Sequence, residues 1–288
     1  MNRCVSFKNT KAIVFWSKNP QPLIPYLHEL DERGIHYYFQ FTLNDYDNEQ
    51  FEPNVPSIET RIKTFKELSE KIGNGKVIWR FDPLILTDKI GVDELLQKVK
   101  RIGNQLDGYT EKLVFSFADM GNIYKKVENN LKRLHIYYRE FTPQTMNEFA
   151  TGLREWNKNR NLSLATCAEQ IDLNQFGIEH NCCIDGELMK RLFSDDRDLI
   201  YYLNYGKLPE KNSLFGSETN LPPVDIEKLK DKGQRTLCGC IISKDIGMYN
   251  TCPHHCVYCY ANTSKEAVKH NRSLYSIENE SIIKNKVC

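Results

Sequence analysis

Residues 57–81 read SIETRIKTFKELSEKIGNGKVIWRF, and this stretch carries the repeating unit of the fold. Ser57 can cap a helix, because its hydroxyl accepts from a free N–H of the first turn. Ile58, Ile62, Phe65, Leu68 and Ile72 follow at spacings of three and four, which line one helix face. Gly73-Asn74-Gly75 ends that helix. KVIWRF, Lys76 to Phe81, is rich in β-branched and aromatic residues and predicts a strand running into Asp82-Pro83.

The same alternation extends in both directions. Upstream, AIVFW (12–16) predicts a buried strand, Leu23 to Arg33 a helix stopped at Gly34, and HYYFQFTL (36–43) a second strand. The polar, acidic loop 44–56 is long enough to suggest a function. Downstream, Val92, Leu95, Leu96, Val99, Ile102 and Leu106 mark a helix, and Leu113 to Phe117 a strand ending near Asp119. Ile123, Val127, Leu131 and Leu134 mark another helix. Thr142-Pro143 opens the next, with Met146, Phe149, Leu153 and Trp156 inward. Leu162 to Thr166 is the fifth strand and delivers Cys167 and Glu169 at its end; Asp185 caps a helix through Leu192. Ile241 to Tyr249 is expected as a sixth strand, and Ser264 to His270 as the start of a helix. Trp16, Trp79 and Trp156 are expected in the core.

Strands alternating with amphipathic helices imply βαβ units and a parallel sheet, closing as a partial or complete parallel βα barrel. Ligands in such folds sit at the carboxyl ends of the strands. Those ends carry Lys18, Asn19, Thr42, Arg80, Asp82, Asp119, Cys167 and Glu169. The expected organisation is one domain: βα repeats over 1–193, an irregular surface excursion over 194–237, and a Cys-rich segment over 238–288 that completes the barrel. The 288 residues are 40% hydrophobic and 27% charged, with a net charge of +1. That balance gives no pull toward nucleic acid or anionic membrane. No apolar run nears a membrane span, and the polar N-terminus lacks a signal-peptide core, so a cytoplasmic location is expected.

Ten cysteines in a chain without an export signal point to metal ligands rather than disulfides. Nine of them lie at or beyond position 167. TCPHHCVYCYAN (251–262) holds Cys252, Cys256 and Cys259 in a CxxxCxxC spacing. Cys thiolates hold iron–sulfur clusters, normally four to a cubane, so three leave one iron open. A structural zinc loop is the plainer alternative, with Cys238, Cys240, His254 or His255 as fourth ligand. Cys167, Cys183, Cys238 and Cys240 could hold a second, auxiliary cluster with complete thiolate ligation, Cys182 competing with Cys183. The plainer reading of Cys167 is a small buried core residue.

CxxxCxxC with Tyr258 before the last Cys resembles the signature of radical S-adenosylmethionine enzymes. IVFWSKNP, YYFQFTL, VIWRFDPLILTDK, TCAEQIDLNQFGIEHNCCIDGEL and GQRTLCGCIISKDIGMYNTCPHHCVYCYAN resemble a bacterial family of unknown function with a C-terminal cysteine cluster of that type. The resemblance implies a 4Fe-4S cluster on Cys252, Cys256 and Cys259, with S-adenosylmethionine on the open iron. It implies reductive cleavage to a deoxyadenosyl radical that acts on an unknown substrate, the electron coming from a flavodoxin- or ferredoxin-like donor. Lys18, Arg80 and Glu169 would bind the carboxylate, ribose or amine of S-adenosylmethionine, and Tyr258 would wall the adenine or the cluster; an internal salt-bridge network is the plainer role. The Cys loop follows the last strand here rather than the first, which implies a circularly permuted barrel with Ile241 to Tyr249 in the first-strand part. Members of that family begin with an extra strand and helix, so an incomplete barrel is also expected. Two further readings stand beside the enzyme: a zinc-stabilised βα protein that binds a ligand or partner, and a catalytically inactive relative.

Overall fold

The computed structural model describes residues 7–119, 125–167, 169–208 and 238–278. In chain order the strands are β1 (Ala12–Ser17), β2 (His36–Thr42), β3 (Val77–Leu84), β4 (Leu86–Thr87), β5 (Lys112–Phe117), β6 (Tyr138–Arg139), β7 (Ser163–Thr166) and β8 (Ile178–His180). The helices are α1 (Leu27–Glu32), α2 (Ile58–Ile72), α3 (Val92–Gln105), α4 (Lys125–Arg133), α5 (Pro143–Asn157), α6 (Gly186–Leu192), α7 (Arg197–Tyr205) and α8 (Lys265–Ser273). Six strands form one parallel sheet in the order β1-β2-β3-β5-β7-β8; β4 and β6 pair antiparallel beside it. The β3–β5 ladder slips between Phe81 and Leu84, where Pro83 has no N–H to give.

Period-two alternation sorts the strand residues onto two faces. Phe39, Phe41, Trp79, Phe81, Phe115 and Leu164 bury against α2, α3 and α5, which contribute Phe65, Leu68, Leu95, Ile102, Phe149 and Leu153. Burying a large apolar side chain contributes roughly 1.5–3 kcal/mol, so this face is the main source of stability. Helices α3 and α5 interlock through two glycines. A Cβ on Gly103 would lie 2.4 Å from the Trp156 ring, and one on Gly152 would lie 2.4 Å from Leu96 Cδ1. On the opposite face, Tyr38, Ile78, Val114 and Ala165 meet Met189, Phe193, Leu199, Leu203 and Ile241. Caps fall where the sequence places them: Ser57, Thr142, Asp185 and Ser264 each accept from a first-turn N–H.

Four expectations are corrected. Of the partial or complete barrel expected, the closed form is not seen: among the described residues the sheet is open, with β1 and β8 at its edges. Ile241 to Tyr249 is not a strand. Ile241 makes a single bridge, its N–H donating to the Ile184 carbonyl at 3.1 Å, and the chain beyond is irregular. Asp245 Oδ1 accepts from Gly247 N–H at 2.7 Å, a local turn that competes with strand pairing. The sixth strand is instead β8, whose three residues offer too little sequence to show a period. Within the expected irregular excursion, Arg197–Tyr205 is helical: Asp196 caps it, Gly206 closes it at φ 69°, and Leu199 and Leu203 face the core four residues apart. Finally, Trp16 is 49% exposed, because it sits on the edge strand β1. Ile123, Cys4, Cys288, residues 209–237 and residues 279–288 lie outside the described residues. No helix among those described is long and apolar enough to cross a membrane.

Candidate functional site

The carboxyl ends of the parallel strands carry two groups of cysteines and a buried charge network. Their positions follow from the alternation above. Gln40, Arg80 and Cys167 continue the face of Tyr38, Ile78 and Ala165, so they point away from α2, α3 and α5. Beyond β8, the loop 181–185 crosses back over this face. Tyr38 Oη and Gln40 Nε2 hold the Cys183 carbonyl, donating at 2.6 and 2.9 Å.

This docking brings distant thiols together. Cys167 Sγ lies 3.4 Å from Cys183 Sγ. Cys240 accepts from the backbone N–H of Cys183 at 3.1 Å and of Ile184 at 3.3 Å, and side-chain hydrogen bonds link it to Cys183 and Cys238. Arg80 Nη1 donates to Cys183 Sγ at 3.1 Å, as does Asn181 Nδ2 at 3.2 Å. The bond shared with Cys183 draws the Cys240 thiol below its ordinary range against the effect of burial. Cys167 moves the other way: its hydrogen bond to Cys183, then burial, hold it well above that range. Cys182 turns toward Cys238, and burial pushes it up to about 11.

The second group lies on the loop after the irregular segment. Cys252, Cys256 and Cys259 are within electrostatic reach of one another. The loop is closed by side chains rather than regular structure. Asn262 Nδ2 donates to the Cys252 carbonyl at 2.8 Å, and Asn250 Oδ1 accepts from Thr263 at both its N–H and its hydroxyl. Burial pushes the Cys256 thiol up to about 12. Loop 44–56 fastens this loop to the sheet: Val257 N–H donates to the Phe51 carbonyl at 2.9 Å, and Asn54 Nδ2 to the Pro253 carbonyl at 2.9 Å.

Between the two groups runs the charge network. Glu52 is fully buried and accepts from Lys18 Nζ at 2.8 Å, Arg61 Nη1 at 3.0 Å, Asn44 Nδ2 at 3.0 Å and the Tyr258 hydroxyl. Lys18 also donates to Tyr258 Oη at 2.9 Å. Burial alone would raise the Glu52 carboxyl; Lys18 and Arg61 outweigh it and hold it below the ordinary value of 4.5. Asp82 behaves alike: burial opposes ionisation, and Arg80, in direct contact, overcomes it. Arg61 is held further by Asp47 at 2.6 Å.

Of the residues expected from the sequence, Lys18 and Tyr258 stand together beside the Cys252–Cys259 loop. Arg80 stands apart from them with Cys167 and Cys183 on one side and Asp82 on the other, and is 3% exposed. Glu169 Oε1 accepts from the Phe117 N–H at 2.9 Å, which ties the end of β5 to the segment after β7. The sequence alone does not single out Glu52, Asn44 and Arg61. The length of the acidic loop 44–56 points to Asn44 and Glu52, and nothing in the sequence points to Arg61, which lies on α2. Among the described residues no three His, Cys, Asp or Glu side chains are set as a single metal ion would need them. A depression at the other end of the sheet is lined by Trp79, Asp107, Thr110, Glu111, Trp156 and Arg160, and no thiol lines it.

The class is therefore a parallel α/β protein whose strand ends bear two groups of cysteines, with no disulfide among the described residues, around a buried ionic network. Within that class, the chain belongs to the family described as a domain of unknown function, DUF1848, which it matches over residues 2–261. No curated protein matches it.

Proposed function

We propose that the protein is an iron–sulfur enzyme of the radical S-adenosylmethionine type. The observation that carries this reading is the docking of the CxxxCxxC loop over the strand ends by Tyr258, through Glu52, Lys18 and Asn44. Cys252, Cys256 and Cys259 suit a cubane in kind: they are mutual electrostatic neighbours, and one of the thiols, Cys252, takes a backbone hydrogen bond from His254. When bound, that group supplies one electron, which breaks a carbon–sulfur bond of S-adenosylmethionine to give methionine and a deoxyadenosyl radical.

This chain's own residues do the positioning. Lys18, 17% exposed at its side chain, offers its ammonium toward a substrate carboxylate at the mouth while Glu52 holds it in place. Glu169 is the carboxylate at the far side of the mouth and accepts from hydroxyl or amine. The network keeps Tyr258 fixed as a wall and excludes water from the interior. Arg80 is assigned instead to the second thiol group, which it already contacts.

The test is anaerobic purification followed by reduction in the presence of S-adenosylmethionine. Brown protein that releases deoxyadenosine, with release abolished in Cys256→Ser while far-UV circular dichroism is unchanged, is the expected result. Colourless protein containing one zinc, with no deoxyadenosine, would overturn the reading and favour the zinc-stabilised alternative.

A further inference from the structure

We propose that Cys167, Cys183, Cys238 and Cys240 are the four ligands of a second iron–sulfur cluster, independent of the Cys252–Cys259 loop. Three separate segments deliver them: the end of β7, the loop after β8, and the stretch 238–240. Nothing local brings these segments together. The fold holds them there through Tyr38, Gln40 and the Ile241–Ile184 bridge.

The surroundings are those of sulfurs that carry charge. Two backbone N–H groups point at Cys240 Sγ, and a guanidinium and an amide nitrogen point at Cys183 Sγ. Hydrogen bonds to ligand sulfurs tune iron–sulfur centres, and a buried cation offsets the negative charge that four thiolates bring. A neutral, inert thiol in a core needs none of these donors. Asn181, 3% exposed, spends its nitrogen on Cys183, and its Oδ1 has no partner among the described residues. Gly239 makes the Cys238–Cys240 turn compact: a Cβ there would meet Cys182 Sγ at 2.6 Å.

The order of the thiols, rather than their close spacing, favours a cluster over a single ion. A tetrahedral zinc, with zinc–sulfur bonds of about 2.3 Å, draws every pair of its sulfurs to about 3.8 Å. Here the thiols run in a chain, from Cys167 to Cys183 to Cys240 to Cys238, and no three surround one point. A cubane offers each sulfur its own iron, so its ligands stand apart. The 3.4 Å contact between Cys167 and Cys183 is shorter than either group requires, and it opens as iron takes the place of a thiol proton.

The test uses the full chain, expressed with iron and purified without oxygen, with iron, zinc and acid-labile sulfide measured per chain. A triple variant with Cys252, Cys256 and Cys259 all changed to Ser should retain about four irons and four sulfides, and adding Cys240→Ser should remove them. Cys238→Ser, at a partly exposed position, repeats the loss where Cys240→Ser fails to fold, and Cys182→Ser should keep the iron. An iron-free triple variant that is still folded overturns the proposal, as does zinc in place of iron, or a Cys167–Cys183 disulfide found by mass spectrometry. Retention of iron in the triple variant, together with no deoxyadenosine release from the reduced wild-type protein, would sink the proposed function and leave the second cluster standing.

Discussion

Glu52→Gln is the sharpest test of the site's architecture. The carboxylate is 0% exposed and faces two cations, Lys18 at 17% and Arg61 at 1% side-chain exposure. Removing one partner of a buried pair leaves an uncompensated charge and typically costs 3–5 kcal/mol. Two features place this case at the low end. Arg61 keeps Asp47 at 2.6 Å, and Lys18 can turn toward water. The expected loss is about 3 kcal/mol. At about 2.1 cal/mol/K per residue, a chain of 288 residues unfolds with an entropy of about 0.6 kcal/mol/K, so the melting temperature should fall by about 5 °C.

The assay is differential scanning calorimetry of wild type, Glu52→Gln, Lys18→Met and the double variant. The double variant should recover part of the loss, because it removes the stranded ammonium along with the carboxylate. A fall below about 1 °C in Glu52→Gln, or a double variant as unstable as the two singles added, would refute the claim that ionic compensation holds the loop. The pH dependence carries its own sign. A carboxyl held below 4.5 in the folded protein stabilises fully above 4.5, and that contribution is lost as pH falls through the lowered value. The stability gap between wild type and Glu52→Gln should be flat from pH 6 to 8 and shrink only below about pH 4.5.

Gly103→Ala should destabilise by about 2 kcal/mol in urea unfolding: overpacking against Trp156 and Trp79 costs up to ~3, and helix propensity returns about 1. A neutral or stabilised variant would mean that α3 and α5 are not so closely packed. Trp16→Ser should shift the melting temperature by less than about 1 °C, since exposed substitutions usually change stability by ~0.5 kcal/mol or less; a loss of several degrees would show that a partner covers β1. Lys18→Met should weaken S-adenosylmethionine binding about tenfold, the worth of one charge-assisted hydrogen bond, measured by equilibrium dialysis on iron-loaded protein. Unchanged affinity would remove Lys18 from the cofactor site.

The elements with long periods were legible in the sequence. Ser57 to Ile72 and Val92 to Leu106 repeat their apolar residues over several turns, and the helices begin and end close to where those repeats do. Closure of the sheet was not legible. It was inferred by giving Ile241 to Tyr249 a strand's role, and in that stretch a two-residue turn at Asp245 overrides the apolar run. The strand that does extend the sheet, Ile178–His180, is too short to show alternation. The pairing of Cys167 with Cys183 was anticipated only from cysteine arithmetic. Its cause is tertiary: a backbone carbonyl held by Tyr38 and Gln40, nearly 150 residues upstream. Glu52 looked like one acidic residue in a polar loop. Burial makes it a keystone, and burial depends on Arg61 from α2 and Tyr258 from the Cys loop reaching the same point.

The charge network explains why the strand ends hold two thiol groups rather than one pool. Lys18, Arg61 and Arg80 face Glu52, Asp47 and Asp82, so the network is close to neutral before any thiol ionises. Each cysteine group then has a cation of the network that favours its thiolate form: Lys18 for Cys252 and Cys256, joined at Cys252 by Arg272 from α8, and Arg80 for Cys167 and Cys183. Asp82 lies between those cations and feels both. A negative charge gathered at either group therefore competes with Asp82 for the field of that group's cation. That arrangement couples the two groups electrostatically with no bond between them. A Asp82→Asn change should consequently alter the reactivity of both cysteine sets toward a thiol-directed reagent, followed by mass spectrometry under denaturant-free conditions. An effect confined to Cys167 and Cys183 would show that Lys18 answers to Glu52 alone.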